Sequence, residues 1–228
     1  MPKNESVAFF GLAQDIYSDI ARVHLEQNFE RVYCFWGTNH VPPLDEPQEF
    51  PDVDWLFCFK SKKILRAKTL NSIRKAAVNF HTASPDYPGS NGVNWALYNG
   101  DTTSAITTHL MTTDVDAGPI LDTAWFTCAD ANDVNTLLTQ TYTQHLLTFM
   151  DITRKIAFEG IEWVNKAQAA YDGPSWASHT YRVRELEELK RIQPDMCKTE
   201  IARRIRATRY RNYGPYIELE GYKFRLGD

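Results

Sequence analysis

Ser6-Val7-Ala8-Phe9-Phe10 is a short, almost wholly apolar run that stops at Gly11. A strand covered on both faces reads this way, as a continuous rather than alternating apolar run. Leu12 to Asn28 follows, with Ile16, Ile20, Val23 and Leu25 recurring at helical spacing, the mark of a helix laid against a core. Arg31-Val32-Tyr33-Cys34-Phe35-Trp36 is a second apolar run. Strand, helix, strand is the opening of an α/β fold.

The same reading extends outward. Gly37 to Asp54, rich in Pro, Asp and Glu, is a loop, and Trp55 to Phe59 is a third strand. Ile64 to Arg74 is a helix and Ala76 to Phe80 a fourth strand. Asn94 to Tyr98 is a short helix. Ser104 to Met111 alternates Ala105, Thr107 and His109 with Ile106, Thr108 and Leu110, which has the period of a strand. Ile120 to Thr127 is another strand, and Asp133 to about Lys166 one long helical pattern broken near Gly160. Beyond Tyr171-Asp172-Gly173-Pro174 the chain becomes more charged. Pro215 to Leu219 and Tyr222 to Leu226, around Glu220-Gly221, pair as a β-hairpin. The expected organisation is a core over 1–170 and a C-terminal extension of helices and hairpin over 171–228.

With 228 residues, 43% hydrophobic and 13% aromatic, the chain can bury a core of full domain size. A net charge of −4 argues against a nucleic-acid binder, which carries a basic excess. Cys34, Cys58, Cys128 and Cys197 form no C-x-x-C pair, so a zinc ribbon is excluded and reduced thiols are expected. No window approaches the ~20 apolar residues of a spanning helix, and the first residues hold no signal-length apolar stretch. The expectation is a cytoplasmic protein, not held at a membrane.

Asn79 and His81 stand two apart at the end of a strand, so their side chains share a face. They lie where a buried strand meets its loop, the place where open α/β sheets bind ligands. The loop that follows, Pro85-Asp86-Tyr87-Pro88-Gly89, is too rich in Pro and Gly for a helix. After the next strand come Asp114 and Asp116-Ala117-Gly118. Singly these features are ordinary: a strand-end histidine is more often packed than catalytic, and Asp-x-Asp-x-Gly is more often a turn. The glutamate a calcium loop requires is missing.

Together, Asn-x-His, the Pro-Tyr-x-Gly turn and a later Asp-x-Gly resemble the folate-dependent formyltransferases. The resemblance covers roughly residues 5 to 165, with its specific part at Asn79 to Leu121. Thr82 departs from the proline many members have next to the histidine. The family implies a Rossmann-like α/β fold with a mostly parallel twisted sheet flanked by helices. It also implies 10-formyltetrahydrofolate as co-substrate and no metal. Asn79 would donate to the tetrahedral oxyanion, His81 would take the proton, and Asp116 would orient His81. The family implies that the pterin lies against the backbone of two segments, 57–61 with Phe57, Phe59 and Lys60, and 111–116 with Met111 and Asp114.

The acceptor is argued by elimination within the family. The tRNA branch carries a larger C-terminal domain than these 58 or so residues, and the glycinamide ribonucleotide branch a Gly-rich phosphate loop. Here that loop reads Phe10-Gly11-Leu12-Ala13-Gln14-Asp15. The short sugar-nucleotide branch remains, which implies a nucleotide-linked amino sugar. Tyr181, Arg182 and Arg206, in a locally basic run with Lys198, Arg203, Arg204, Arg209 and Arg211, are the candidate contacts. The aromatic tail Tyr213 to Phe224 is the candidate homodimer surface. A non-catalytic folate or nucleotide-sugar binder, and a formyltetrahydrofolate hydrolase, are the competing readings.

Overall fold

The computed structural model describes residues 3–38, 50–211 and 214–226. Most of the loop expected over 37–54, and Tyr213 of the aromatic tail, lie outside the described residues.

The elements in chain order are β1 (Lys3–Leu12), α1 (Ile16–Asn28), β2 (Phe29–Gly37), β3 (Trp55–Phe59), α2 (Ala67–Asn71), β4 (Ala76–His81), α3 (Gly92–Asn99), β5 (Thr103–Leu110), β6 (Ile120–Thr127), α4 (Val134–Glu159), α5 (Ile161–Ala170), α6 (Val183–Lys190), β7 (Arg191–Ile192), α7 (Lys198–Thr208), β8 (Tyr216–Leu219) and β9 (Tyr222–Arg225). Among the described residues, β1 to β6 form one sheet in the order β2-β1-β3-β4-β5-β6. The first four strands are parallel. β5 and β6 are antiparallel additions at one edge. The mostly parallel sheet is therefore present, and the reversal at β5 is a feature the apolar pattern does not encode.

β3 is buried along its whole length, and its alternate side chains feed two cores. Trp55, Phe57 and Phe59 join Val7, Phe9, Val78 and Phe80 against Phe149, Ile152 and Ile156 of α4. Leu56 and Cys58 join Ala8, Phe10, Leu65 and Ala77 on the opposite face. Truncating a ring such as Phe57 to alanine costs about 3–5 kcal/mol at a site like this.

The helix α1 corrects the expectation. Its buried residues are Ser18, Ala21, His24 and Leu25, while Ile16, Ile20 and Val23 are exposed. Positions 18, 21 and 25 have helical spacing too, but a serine conceals the stripe. The Ser18 hydroxyl can be buried because it accepts from the Leu12 N–H at 3.1 Å and donates to Asp15 Oδ1 at 3.0 Å. Asp15 also accepts from the Ser18 N–H and caps the helix. The break expected near Gly160 is real: φ 70 and ψ −146 there end α4 and precede α5. The helix expected over 64–74 shrinks to α2.

The extension packs into the core. Leu186 and Leu189 of α6 and Ala207 of α7 share a buried cluster with Val93, Ala96 and Leu97 of α3 and Leu137 of α4. Arginines reinforce this contact. Arg203 and Arg206 donate from Nε to the carbonyls of Tyr98 at 3.0 Å and Leu97 at 2.8 Å. Arg204 Nη1 reaches the carbonyls of Glu188, Leu189 and Arg191. These are carbonyls at the C-terminal ends of α3 and α6, where a cation is favoured. The expected hairpin is present as β8 and β9, and β7 adds a parallel strand beside β8.

Candidate functional site

Asn79 and His81 project from β4, and the antiparallel register sets His109 of β5 directly opposite Asn79. The loop after β5 then brings Asp116 back over the strands. This needs a left-handed backbone at Asp116, φ 46, which a non-glycine residue adopts only under constraint. Gly118 supplies the constraint. A Cβ there would meet the Leu110 carbonyl oxygen at 1.8 Å, so only glycine lets the loop lie this close.

The Asp116 carboxylate is the hub. Oδ2 accepts from the Gly89 N–H at 2.7 Å and lies 3.2 Å from His81 Nδ1. Oδ1 lies 3.2 Å from His109 Nε2 and 3.4 Å from Asn79 Nδ2. Asn79 Nδ2 is also 3.0 Å from His109 Nε2. His81 Nε2 faces the Tyr87 carbonyl at 2.9 Å. All three ionisable side chains are buried. Burial alone would raise the Asp116 carboxyl, but the two imidazoles and the Gly89 N–H draw it down to about 2. Burial pushes His81 below its ordinary value against the pull of Asp116. The hub is thus a buried carboxylate holding an unprotonated imidazole.

The segment entering the extension roofs this cluster. Trp176 meets His81 and His109 edge-on, with centroids at 5.6 and 5.1 Å. Its indole N–H donates to the Gly118 carbonyl at 2.8 Å. Ala177 N–H donates to the Pro85 carbonyl, Tyr181 N–H to the Pro88 carbonyl and Ser90 N–H to the Tyr181 carbonyl. Gly89 passes so close that a Cβ would lie 2.3 Å from the Tyr181 carbonyl oxygen, at φ +96.

The other candidates from the sequence lie as follows. Phe57 and Phe59 are fully buried, with their rings in the core. Lys60 pairs with Asp15 Oδ2 at 2.5 Å under the ring of Tyr142. Met111 donates its N–H to the Ala77 carbonyl, and Asp114 is exposed in the loop. Tyr181 stacks near Trp95 and lines a groove of about 600 Å³ with Asp86, Asp101 and Trp125. That groove presents carboxylates, not arginines. Arg182 caps α6 through its N–H to Glu185 at 2.5 Å, and Arg206 is engaged at Leu97 as above. His109 and Trp176 are the two site residues that sequence reading missed. His109 was visible only as one position of an alternating strand, and Trp176 as a tryptophan in a Gly-Pro-Ser-Trp linker.

All four cysteines are unpaired. Among the described residues no group of His, Cys, Asp and Glu is arranged to hold a metal, and no helix is long and apolar enough to cross a membrane.

Residues 44–149, a little under half of the chain, match the family model described as Formyl transferase. A methionyl-tRNA formyltransferase of Parabacteroides distasonis is 37% identical over 68 residues, 29% of this chain and 21% of the relative. One from Bacteroides fragilis is 26% identical over 110 residues, 43% of this chain and 34% of the relative. The chain thus spans about a third or less of the length of these curated relatives. A 4-N formyltransferase from Francisella tularensis superposes with a TM-score of 0.78 at 16% identity, covering 97% of this chain and 96% of that one. An N-formyltransferase from Helicobacter canadensis, solved with folinic acid and dTDP-3-aminofucose, superposes with a TM-score of 0.68 at 13% identity, covering 98% and 86%. The fold is that of the formyltransferases.

Proposed function

We propose that this chain, which carries a formyl transferase domain, moves a formyl group from 10-formyltetrahydrofolate to the amino group of a nucleotide-linked amino-deoxysugar. The observation that carries the reading is the Asp116 hub, which gathers an amide donor, an imidazole and a carboxylate at one strand end. This donor set fits a carrier that brings the formyl group already activated, because direct transfer to an amine needs only charge stabilisation and proton removal. The loops after β3 and β5, from Lys60 and from Met111, are the backbone segments that would hold the carrier.

Asn79 donates an amide N–H to the oxygen on which negative charge develops, and removing one such donor costs about 10²–10³ in turnover. His81 receives the proton lost by the attacking amine. As the tetrahedral centre collapses, the bond from the formyl carbon to the folate nitrogen breaks, the proton passes to that nitrogen and tetrahydrofolate leaves. Both nitrogens of His81 face acceptors, Asp116 Oδ2 and the Tyr87 carbonyl. The protonated ring is therefore fully hydrogen-bonded: Nδ1–H stays on Asp116 Oδ2, and the proton taken up at Nε2 is donated to the Tyr87 carbonyl. Asp116, ionised well below neutral pH, stabilises that imidazolium and fixes its orientation.

The sugar is inferred to be dTDP-linked, with dTDP-4-amino-4,6-dideoxyglucose the first choice, in the making of surface polysaccharide. Support comes from the full-length superposition on the Francisella tularensis enzyme. The 3-amino isomer is favoured by a different observation, the dTDP-3-aminofucose bound by the Helicobacter canadensis neighbour. GDP- and UDP-amino sugars complete the series. The reading implies a cytoplasmic homodimer joined through the exposed Tyr222 and Phe224 of β9.

The test is incubation with 10-formyltetrahydrofolate and a panel of dTDP-, UDP- and GDP-amino sugars, glycinamide ribonucleotide and methionyl-tRNA, read by mass spectrometry. A gain of one CO on a single sugar nucleotide is expected. Formylation of the tRNA or of glycinamide ribonucleotide instead would overturn the acceptor. Folate binding without transfer to any of them would make the chain a binding protein.

A further inference from the structure

Asn79 can stabilise an oxyanion only if its nitrogen end is held in one orientation, and its own strand does not do this. We infer that His109 is the positioning residue that fixes the Asn79 amide for transfer, an inference that rests on the formyl-transfer reading above.

His109 Nδ1 lies 2.9 Å from the Leu110 carbonyl oxygen. A ring nitrogen facing a carbonyl must carry the hydrogen, and the other nitrogen of a neutral ring is then an acceptor. That acceptor, Nε2, is 3.0 Å from Asn79 Nδ2 and 3.2 Å from Asp116 Oδ1, so two acceptors face each other here and the Asn79 NH₂ group is the donor that bridges them. The second neighbour of Nδ2 is Asp116 Oδ1 at 3.4 Å, also an acceptor. The amide oxygen of Asn79 turned to this side would face two acceptors, so the NH₂ end is dictated by its surroundings.

The two N–H groups are not equivalent. The one on His109 is short and anchors the amide. The one on Asp116 is long, and it is the one free to leave for the developing oxyanion. His109 is held in turn: it is 2% exposed, its Nδ1–H is tied to backbone, and Trp176 closes its edge. The groups facing it are Asn79 and His81 from β4, Asp116 from the loop after β5 and Trp176 from the linker. His81 is anchored separately, through Asp116 Oδ2 and the Tyr87 carbonyl. Losing His109 therefore releases Asn79 first.

The experiment uses the full chain and the sugar nucleotide that the panel identifies. His109→Phe removes the acceptor and keeps a ring. His109→Gln offers Oε1 to Asn79 Nδ2 instead. The expected result is a kcat lower by about 10–100-fold in His109→Phe, within the cost of a lost oxyanion donor, with KM for the sugar changed less than about threefold. His109→Gln should recover most of the loss. In an Asn79→Ala background, His109→Phe should cost no more than about a further twofold, because coupled residues are not additive. Equal losses in His109→Phe and His109→Gln, or a full further loss in the Asn79→Ala background, would overturn the inference. A measurement independent of turnover separates its failure from failure of the functional reading. In ¹⁵N–¹H spectra the two Asn79 side-chain amide protons should be widely split in wild type and collapse together in His109→Phe. Unchanged splitting refutes the positioning role whatever the acceptor proves to be.

Discussion

His145, on α4 behind the site, offers the sharpest quantitative test. Its ring stacks on Phe59 at 4.1 Å between centroids and lies near Phe80. It has no exposure, and neither ring nitrogen makes a well-formed hydrogen bond, the backbone of Phe80 being the polar group that faces it. Burial, with Lys60 nearby, pushes the imidazole down from 6.5 to about 3. The folded chain thus holds His145 neutral where the unfolded chain protonates it. A folded value below the unfolded one means stability is complete above about pH 6.5 and falls as pH drops toward about 3. At about 1.4 kcal/mol per unit, His145 alone removes about 2 kcal/mol at pH 5 and about 3 kcal/mol at pH 4. His145→Phe keeps the stack and abolishes the titration. Urea melts of both proteins at steps from pH 7.5 to 4 give the difference directly. The variant should be close to wild type at pH 7.5, since two unpartnered nitrogens are lost and a little volume is added. It should then gain about 3 kcal/mol relative to wild type by pH 4. Parallel loss in the two proteins, with no widening gap, would show that His145 is not a buried neutral ring.

The remaining predictions concern the site and its supports. His81→Ala and Asp116→Asn should each cut turnover by about 10²–10⁴ while the fold survives, checked by steady-state rates beside circular dichroism; near-normal turnover in His81→Ala would remove it from the mechanism. Gly118→Ala should destabilise by at least ~1–3 kcal/mol and abolish turnover, because the methyl meets backbone rather than a movable side chain; a crystal structure with Asp116 unmoved would contradict this. Trp176→Ala exposes His81, and since burial is the main cause of its lowered value, its titration followed by NMR should move up toward 6.5; no movement means the indole is not what keeps the site dry. Arg206→Ala should lower the melting temperature while leaving KM for the sugar nucleotide near wild type, because the guanidinium caps α3; a large KM change with unchanged stability would return Arg206 to the substrate site.

The strands and the long helix were readable because two-sided burial leaves continuous apolar runs and Gly160 leaves a visible break. The inward face of α1 was not, because Ser18 pairs its hydroxyl locally and so occupies a core position an apolar count assigns to Ile16 and Ile20. Strand direction has no local signature either, and with it went His109: only antiparallel pairing of β4 and β5 sets it across from Asn79. Asn79, His81 and Asp116 were legible because one strand end and one Asp-x-Gly turn carry them. The partners of the α7 arginines were not legible for a related reason. A basic run looks the same whether it faces phosphate or the carbonyl end of a helix 100 residues away, and Arg203, Arg204 and Arg206 each reach carbonyls, the first two beside Glu200.

Those long-range arginine contacts bear on the order in which the molecule is made. Arg206 joins residues 109 positions apart, and the loop carrying Tyr87 and Gly89 is tied to the Tyr181 backbone. A nascent chain that has emerged only as far as Ala170 holds β1 to β6 and α4 but none of these ties. Its Pro85–Gly89 loop lacks the hydrogen bonds to residues 177 and 181, the Trp176 roof is missing, and α3 still exposes the apolar face that Leu186, Leu189 and Ala207 will cover. The carboxylate hub is therefore roofed and its loop tied only once residues 176–181 have followed the core, and a product terminated at Ala170 should aggregate through the open face of α3 before it can encounter either substrate.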